Sequence, residues 1–262
     1  MTAEPDGPQN IYDNPVFFAG YAALRDAESG LNAVLEQPAL ARLLPASLTG
    51  LRVLDLGCGF GDFARAARAR GAASVLAIDV SAKMLAEARR RTSDPAIRYE
   101  QAPIEALAVE PAAFDLAVSS LALHYVADYR AAVRTIAAAL APRGRFVCSV
   151  EHPICTAMGV YEWHRDATGA ELYWPVDRYG EEGRRDTRWF VDGVVKHHRT
   201  VASYVNGLVD AGLALARLEE PEADPAALKA RPELALQRRR PPFLLLAADK
   251  PAWRAGCTRF LS

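Results

Sequence analysis

Gly57, Gly59 and Gly61 occupy alternate positions of the stretch VLDLGCGFGDF at 53–63. Asp55 stands two residues before the first glycine, and Asp79 closes the next apolar run, VLAID. Glycine at such places lets a ligand lie directly against the backbone. A carboxylate at the end of the second run can accept two hydroxyls of a ribose. A carboxylate beside the turn favours a cationic, amino-acid-like group. Two other uses of glycine-rich turns fail here. A phosphate loop needs Lys followed by Ser or Thr, whereas Phe63 and Ala64 follow Asp62. A dinucleotide fingerprint needs its third glycine three positions after the second, and counting from Gly59 that position is Asp62. The pattern points to a nucleoside carrying a cationic tail.

A second set of residues could move a proton. SVEHPI places His152 just beyond an apolar run, LALHYV does the same for His124, and KHHRT holds His198. An imidazole with an ordinary pKa near 6.5 suits base work at neutral pH, and His152 is the first expectation for that role. Each has a structural alternative: His124 as a helix cap, His152 in a turn before Pro153, His198 in a hinge with Arg199. The spacings of these histidines, and of Cys58, Cys148, Cys155 and Cys257, match no usual metal-ligand pattern, so no metal is expected.

The elements that must hold these groups follow from periodicity. LRVLDLG, SVLAIDV, IRYEQA, FDLAVSS and RFVCSVE read as buried strands. DFARAARARG, AKMLAEARRR (N-capped by Ser81) and YRAAVRTIAAALAPRG (ended by Pro142 and Gly144) read as helices between them. Near-continuous apolar strands separated by helices imply a doubly wound α/β fold whose sheet is covered on both faces. Its ligand site lies at the carboxyl ends of the strands. Residues 1–50 form a helical lid region and 51–151 the binding core. Residues 153–198, aperiodic and rich in Trp163, Trp174, Trp189, Tyr161, Tyr173 and Tyr179, form an inserted cap. Residues 199–250, with TVASYVNGLVDAG, LALARLEE and PFLLLAAD, complete the sheet. The cap's aromatics can form its own small core or wall a pocket for a flat or apolar acceptor.

The chain has 262 residues, enough for one large domain, and a formal net charge of −1 with no extended basic run. That balance gives no case for nucleic acid or an anionic membrane as partner. No apolar stretch is long enough to span a bilayer, and MTAEPDGPQNIYDNP lacks the form of a signal peptide, so a cytoplasmic location is expected.

In order and spacing, VLDLGCGFG, VLAIDVSAKMLAEAR and FDLAVSSLALHYV together resemble the motifs of the class I S-adenosylmethionine-dependent methyltransferases. The resemblance implies a Rossmann-like, mostly parallel seven-stranded sheet and S-adenosylmethionine as cofactor. It implies that Gly57, Cys58, Gly59 and Gly61 lie beneath the methionine part, and that Asp55 favours its ammonium. Asp79 accepts the ribose hydroxyls, Val80 and Met84 pack on the adenine, and Ser119 and Leu121 line the sugar and methionine side. Pro103 stands where the family often has Asp, so Ile104 or Glu105 takes over adenine recognition. Tyr21 and Arg25 resemble a lid element that contacts the cofactor carboxylate. The implied reaction is methyl transfer to a small-molecule acceptor at an O, N or C nucleophile. The alternatives are a nicotinamide-dependent oxidoreductase, which the broken fingerprint disfavours, and a non-catalytic S-adenosylmethionine-binding module.

Overall fold

A computed structural model describes residues 8–252 except 28–29 and 160–161. Tyr161, Cys257 and the first seven residues, which figure in the readings above, lie outside the described residues. Strand β1 (Arg52–Leu56) is an inner strand of a seven-stranded sheet. On one side follow β2 (Ser74–Asp79) and β3 (Ile97–Gln101). On the other follow β4 (Phe114–Ser120), β5 (Leu140–Glu151), β11 (Phe243–Asp249) and β10 (Ala214–Glu219). Only β11 runs against its neighbours, pairing antiparallel with both β5 and β10. The mostly parallel doubly wound sheet expected from the apolar runs is what forms.

Val53 to Leu56 are all buried, because helices cover both faces of β1. One face packs on α5 (Tyr129–Ala139) and α7 (Val201–Asp210) through Val133, Ile136 and Leu208. The other packs on α2 (Gln37–Leu43), α3 (Asp62–Ala69) and α4 (Ala82–Arg90) through Leu40, Ala64, Ala67 and Leu85. Side chains start two of the helices, at Ser81 as expected and at Thr200 as well. Ser81 Oγ accepts the Met84 N–H at 3.1 Å, and Thr200 Oγ1 that of Ser203 at 3.1 Å. Helix α5 stops earlier than Pro142 and Gly144 suggest. Arg143 donates its N–H to Lys250 O at 2.9 Å, and Leu140 pairs with Phe114, so 140–144 already belongs to the sheet.

Chain order leaves β1 toward β2 on one side while β4 lies on the other. The crevice at their carboxyl ends is therefore the switch point where such folds take ligands. Two further segments border it. Helix α1 (Pro15–Asp26) is capped by Asn14, whose side chain accepts from Val16 N and Phe17 N. The stretch 153–198 is more regular than its composition suggests. A short helix α6 (Pro153–Thr156) leads into two antiparallel hairpins, β6–β7 (His164–Arg165 with Glu171–Tyr173) and β8–β9 (Gly183–Trp189 with Val191–His198). Phe17 packs edge-on against Trp189 and Phe190 at 5.3 and 5.5 Å, joining α1 to the tip of the second hairpin. The remaining helix, α8 (Pro225–Ala230), lies between β10 and β11 in sequence.

Candidate functional site

The crevice is a continuous cleft of about 1090 Å³. Its floor is the turn after β1. Gly57 (φ +73°) and Gly59 (φ +53°) both adopt left-handed backbone, which a side chain would strain. A Cβ on Gly57 would stand 2.5 Å from Ala122 Cβ, so this glycine admits the loop that follows β4. A Cβ on Gly59 would meet only the Tyr21 hydroxyl, at 3.9 Å, so its missing side chain leaves space in the cleft itself. Cys58, within the same turn, also borders the cleft. Gly61 departs from the expectation. It is buried ahead of α3 and does not border the cleft, and its missing side chain makes room for the Tyr99 ring.

Two carboxylates end β1 and β2. Asp79 is buried and borders the cleft; its Oδ2 accepts Gly59 N–H at 2.8 Å and its Oδ1 accepts Ser81 N–H at 2.9 Å. Burial raises its pKa. Asp55 is 3 % exposed, and its Oδ2 has no hydrogen-bond partner. Burial, then the charge of Asp79, pushes its pKa up to about 8. A buried carboxyl oxygen without a donor, beside an open glycine turn, fits a ligand that brings positive charge and N–H donors. Val80, Met84, Pro103, Ile104 and Glu105 form the adjoining wall.

Strand alternation separates the next pair. Ser119 does not border the cleft: its Oγ donates to Leu56 O at 3.1 Å and ties β4 to β1. Ser120 borders it instead. Leu121 follows with φ +53°, unusual for a branched side chain, and borders the cleft. Its N–H donates to Ser149 Oγ at 3.0 Å.

The roof comes from the N-terminal segment and the β8–β9 hairpin. Tyr12, Tyr21 and Trp189 border the cleft. The Tyr12 and Tyr21 rings meet edge-on at 5.3 Å, and burial pushes the Tyr21 pKa up to about 12. Gln9 reaches the hairpin, its side chain accepting from Val195 N and donating to Gly193 O, each at 3.0 Å. Asp13 anchors the segment to the start of α4, accepting from Ser81 Oγ at 2.6 Å and Lys83 N at 3.1 Å. Arg25 borders the cleft, pairs with Asp62 Oδ2 at 2.7 Å and bonds Asn32.

Glu36 was not among the expected residues, and nothing in its local sequence marks it. It is fully buried at the end of a π-helical turn, Asn32–Glu36, a distortion often found near functional sites. Its Oε1 accepts from Ser120 Oγ at 2.9 Å and Ser149 Oγ at 2.5 Å, and its Oε2 from Asn32 Nδ2 at 2.8 Å. Arg25, Asn32 and Glu36 thus link the start of α3 to the ends of β4 and β5.

The three histidines separate. His152 does not border the cleft. Its Nδ1 accepts Ile154 N–H at 3.2 Å as the cap of α6, and its Nε2 meets Glu220 at 2.8 Å. The Pro153 that follows makes this a helix start, which turns the ring away from the strand end. His198 is likewise buried off the cleft, between Thr156 Oγ1 at 2.8 Å and Tyr179 O at 2.9 Å. Only His124 borders it. Burial lowers its pKa to about 4, and its Nδ1 accepts Glu151 N–H across a long 3.4 Å.

Beyond His124, the far end of the cleft is bordered by Glu151, Cys155, Lys196, Arg240 and Phe243. Lys196, 3 % exposed, donates to Glu151 Oε1 at 2.6 Å. Of the three cap tryptophans, only Trp189 borders the cleft; Trp163 and Trp174 pack on each other at 5.5 Å. Among the described residues, no cluster of three His, Cys, Asp or Glu could hold a metal, and no helix is long and apolar enough to cross a membrane.

A family model described as a methyltransferase domain matches residues 54–148, which span the glycine turn, Asp79 and β4. The crystal structure of an S-adenosylmethionine-dependent methyltransferase from Mesorhizobium loti is 47% identical, with a TM-score of 0.78. It covers 85% of this chain and 99% of its own. An uncharacterized protein of Haemophilus influenzae is 35% identical over 219 residues, 81% of this chain and 86% of its own. The malonyl-[acyl-carrier protein] O-methyltransferase of Enterobacter lignolyticus is 44% identical over 106 residues, 40% of this chain and 41% of its own.

Proposed function

Since the chain belongs to the class I S-adenosylmethionine-dependent methyltransferases, we propose that it methylates a small-molecule acceptor at an oxygen, nitrogen or carbon nucleophile by in-line displacement. The carrying observation is one aromatic-bordered cleft that joins the glycine turn to a second group of polar side chains. The cleft runs from the glycine turn to Glu151 and Lys196 and is bordered by the rings of Tyr12, Tyr21 and Trp189. About 1090 Å³ is somewhat more than one drug-sized ligand usually needs, which leaves room for the cofactor and a small acceptor together. The same aromatic border disfavours an RNA or a protein surface as acceptor.

The cofactor supplies a methyl group on a sulfonium, whose leaving group is a neutral thioether. The chain's own task is alignment and exclusion of water. Gly59 leaves backbone open for contact, Asp79 and Asp55 offer carboxylate oxygens, and the apolar wall from Val80 to Ile104 accepts a flat base. Asp55 meets positive charge with an oxygen that has no other donor.

His124 serves better as an orienting group than as a base. It is neutral at physiological pH, since burial holds its pKa near 4. Its Nδ1 already accepts the Glu151 N–H, so the ring proton sits on Nε2. Such an imidazole donates a hydrogen bond and does not take a proton at that nitrogen. An acceptor that is already ionised, or has a free lone pair, matches this arrangement.

The test supplies methyl-labelled S-adenosylmethionine and a bacterial extract fractionated into small molecules, protein and RNA. Label in the small-molecule fraction supports the proposal. Label confined to protein or RNA overturns it.

A further inference from the structure

We propose that the acceptor carries an anionic group, a carboxylate or a phosphate monoester, and that Arg240 is the residue that receives it. The proposal rests on the methyltransferase reading of the cleft and names the substrate class of that site.

Two cations, Lys196 and Arg240, border the cleft near Glu151. Lys196 is neutralised by Glu151 at 2.6 Å. Arg240 is not neutralised. Among the described residues it makes no ion pair, and the groups it touches directly are neutral. Its Nη1 lies 3.1 Å from Cys155 Sγ, its Nη2 donates to Gln237 Oε1 at 3.1 Å, and its guanidinium lies 4.4 Å from the centre of the Trp174 ring. Its Nε is buried and has no acceptor at all. Trp174 is itself fixed, donating Nε1–H to Ile154 O at 3.1 Å.

A partly buried guanidinium held by an aromatic face, a thiol and an amide is positioned but not compensated. Leaving such a cation without an anion is costly, and a planar fork of donors matches carboxylate or phosphate oxygens. The Cys155 thiol feels Arg240, Glu151 and Lys196 together, which places all three charges around one corner. Trp189 and Phe243 give that corner apolar walls, so a small acid with an apolar body fits it.

The test uses the full chain saturated with S-adenosylhomocysteine and titrates it with benzoate, phenyl phosphate, benzyl alcohol and benzylamine, which share a ring and differ in charge. At least one of the two anions is expected to bind about tenfold or more tighter than the alcohol and the amine. Benzoate ahead of phenyl phosphate assigns the carboxylate, and the reverse order the phosphate monoester. Arg240→Gln is expected to lose that preference while keeping its affinity for S-adenosylhomocysteine. The proposal is overturned if neither anion binds at millimolar concentration, if the alcohol or amine binds as tightly, or if Arg240→Gln keeps the preference. Should Arg240→Gln fail to fold, the four-probe comparison on the parent protein decides alone. Failure of the parent to bind S-adenosylhomocysteine would instead sink the reading of the cleft.

Discussion

The Gly59 N–H donates to Asp79 Oδ2 across 2.8 Å, so the group expected to accept a ribose also pins the glycine turn to the end of β2. Its other oxygen fixes Ser81, the cap of α4. Asp79→Ala is therefore expected to act twice. It removes a charge-assisted acceptor, at roughly 1–3 kcal/mol or about 5- to 150-fold in Kd for S-adenosylhomocysteine, and it frees the turn. Asp79→Asn keeps one acceptor oxygen and should lose less. Isothermal titration of both variants checks this, and unchanged affinity in Asp79→Ala would refute it.

Asp55 predicts a proton linkage. Its ordinary pKa is about 3.9, and in the fold it is pushed up to about 8. Between those values the folded protein holds a proton that the unfolded chain has lost, so this group's contribution to stability declines as pH rises through the window. A cationic ligand favours the ionised form. Uptake of S-adenosylmethionine below about pH 8 should then release a proton, and affinity should rise with pH up to that point. Calorimetry in buffers of different ionisation enthalpy measures the release. Equal release by parent and Asp55→Asn would show that the proton comes from elsewhere.

The glycines should part company on substitution. Gly59 faces open cleft, so Gly59→Val is expected to lose cofactor binding by filling that space, with some loss of stability from its left-handed backbone. Gly61 lies against the Tyr99 ring, so Gly61→Ala should lower the melting temperature, with any loss of binding following from that. A folded Gly59→Val protein that binds as the parent does would misplace the site.

What could be read in the sequence was local. The strand runs, the Ser81 cap and the glycine turn each depend on residues within a few positions of one another. The β8–β9 hairpin was not legible because its inward positions include Arg185, Thr187, Lys196 and His198, so no apolar alternation marks it. Ser119 and Ser120 could not be told apart, because β4 is buried on both faces and its pattern sets no parity. The Glu151–Lys196 pair and Arg240 are brought together only by the fold. Glu36 and Ser149 are separated by 113 positions, a contact that no spacing rule anticipates.

Glu36 is expected to be a structural linchpin of the roof. Burial raises its pKa, and three donors converge on its carboxyl group. Glu36→Ala strands Ser149 and Asn32 without their acceptor, at roughly 1–3 kcal/mol of stability. Glu36→Gln retains one acceptor oxygen, and the serine hydroxyls can rotate to accept from its amide, so its loss should be smaller. Urea denaturation of the two variants ranks them. Equal midpoints for parent and Glu36→Ala would contradict the assignment.

His152 and His124 give the sharpest contrast, because the sequence favours the first as a base and the fold moves it away. His152 caps α6 through Nδ1 and engages Glu220 through Nε2, which leaves no ring nitrogen for an acceptor. His152→Ala should cost the roughly 0.5–2 kcal/mol typical of a lost cap and leave kcat close to the parent's. His124 borders the cleft as a neutral donor. His124→Ala should lower kcat/KM by about tenfold, the scale of one lost hydrogen bond, and should leave the neutral-pH profile of kcat unchanged. His124 also predicts an acid limb of stability. Its pKa is near 4 in the fold and about 6.5 when exposed, so the unfolded chain binds the extra proton between those values. Stability from this group is therefore lost as pH falls from about 6.5 toward 4, and His124→Ala should flatten that slope. A fall in kcat of about 10²-fold or more in His152→Ala, the range of a lost general base, with stability and cofactor affinity intact, would return the catalytic role to His152.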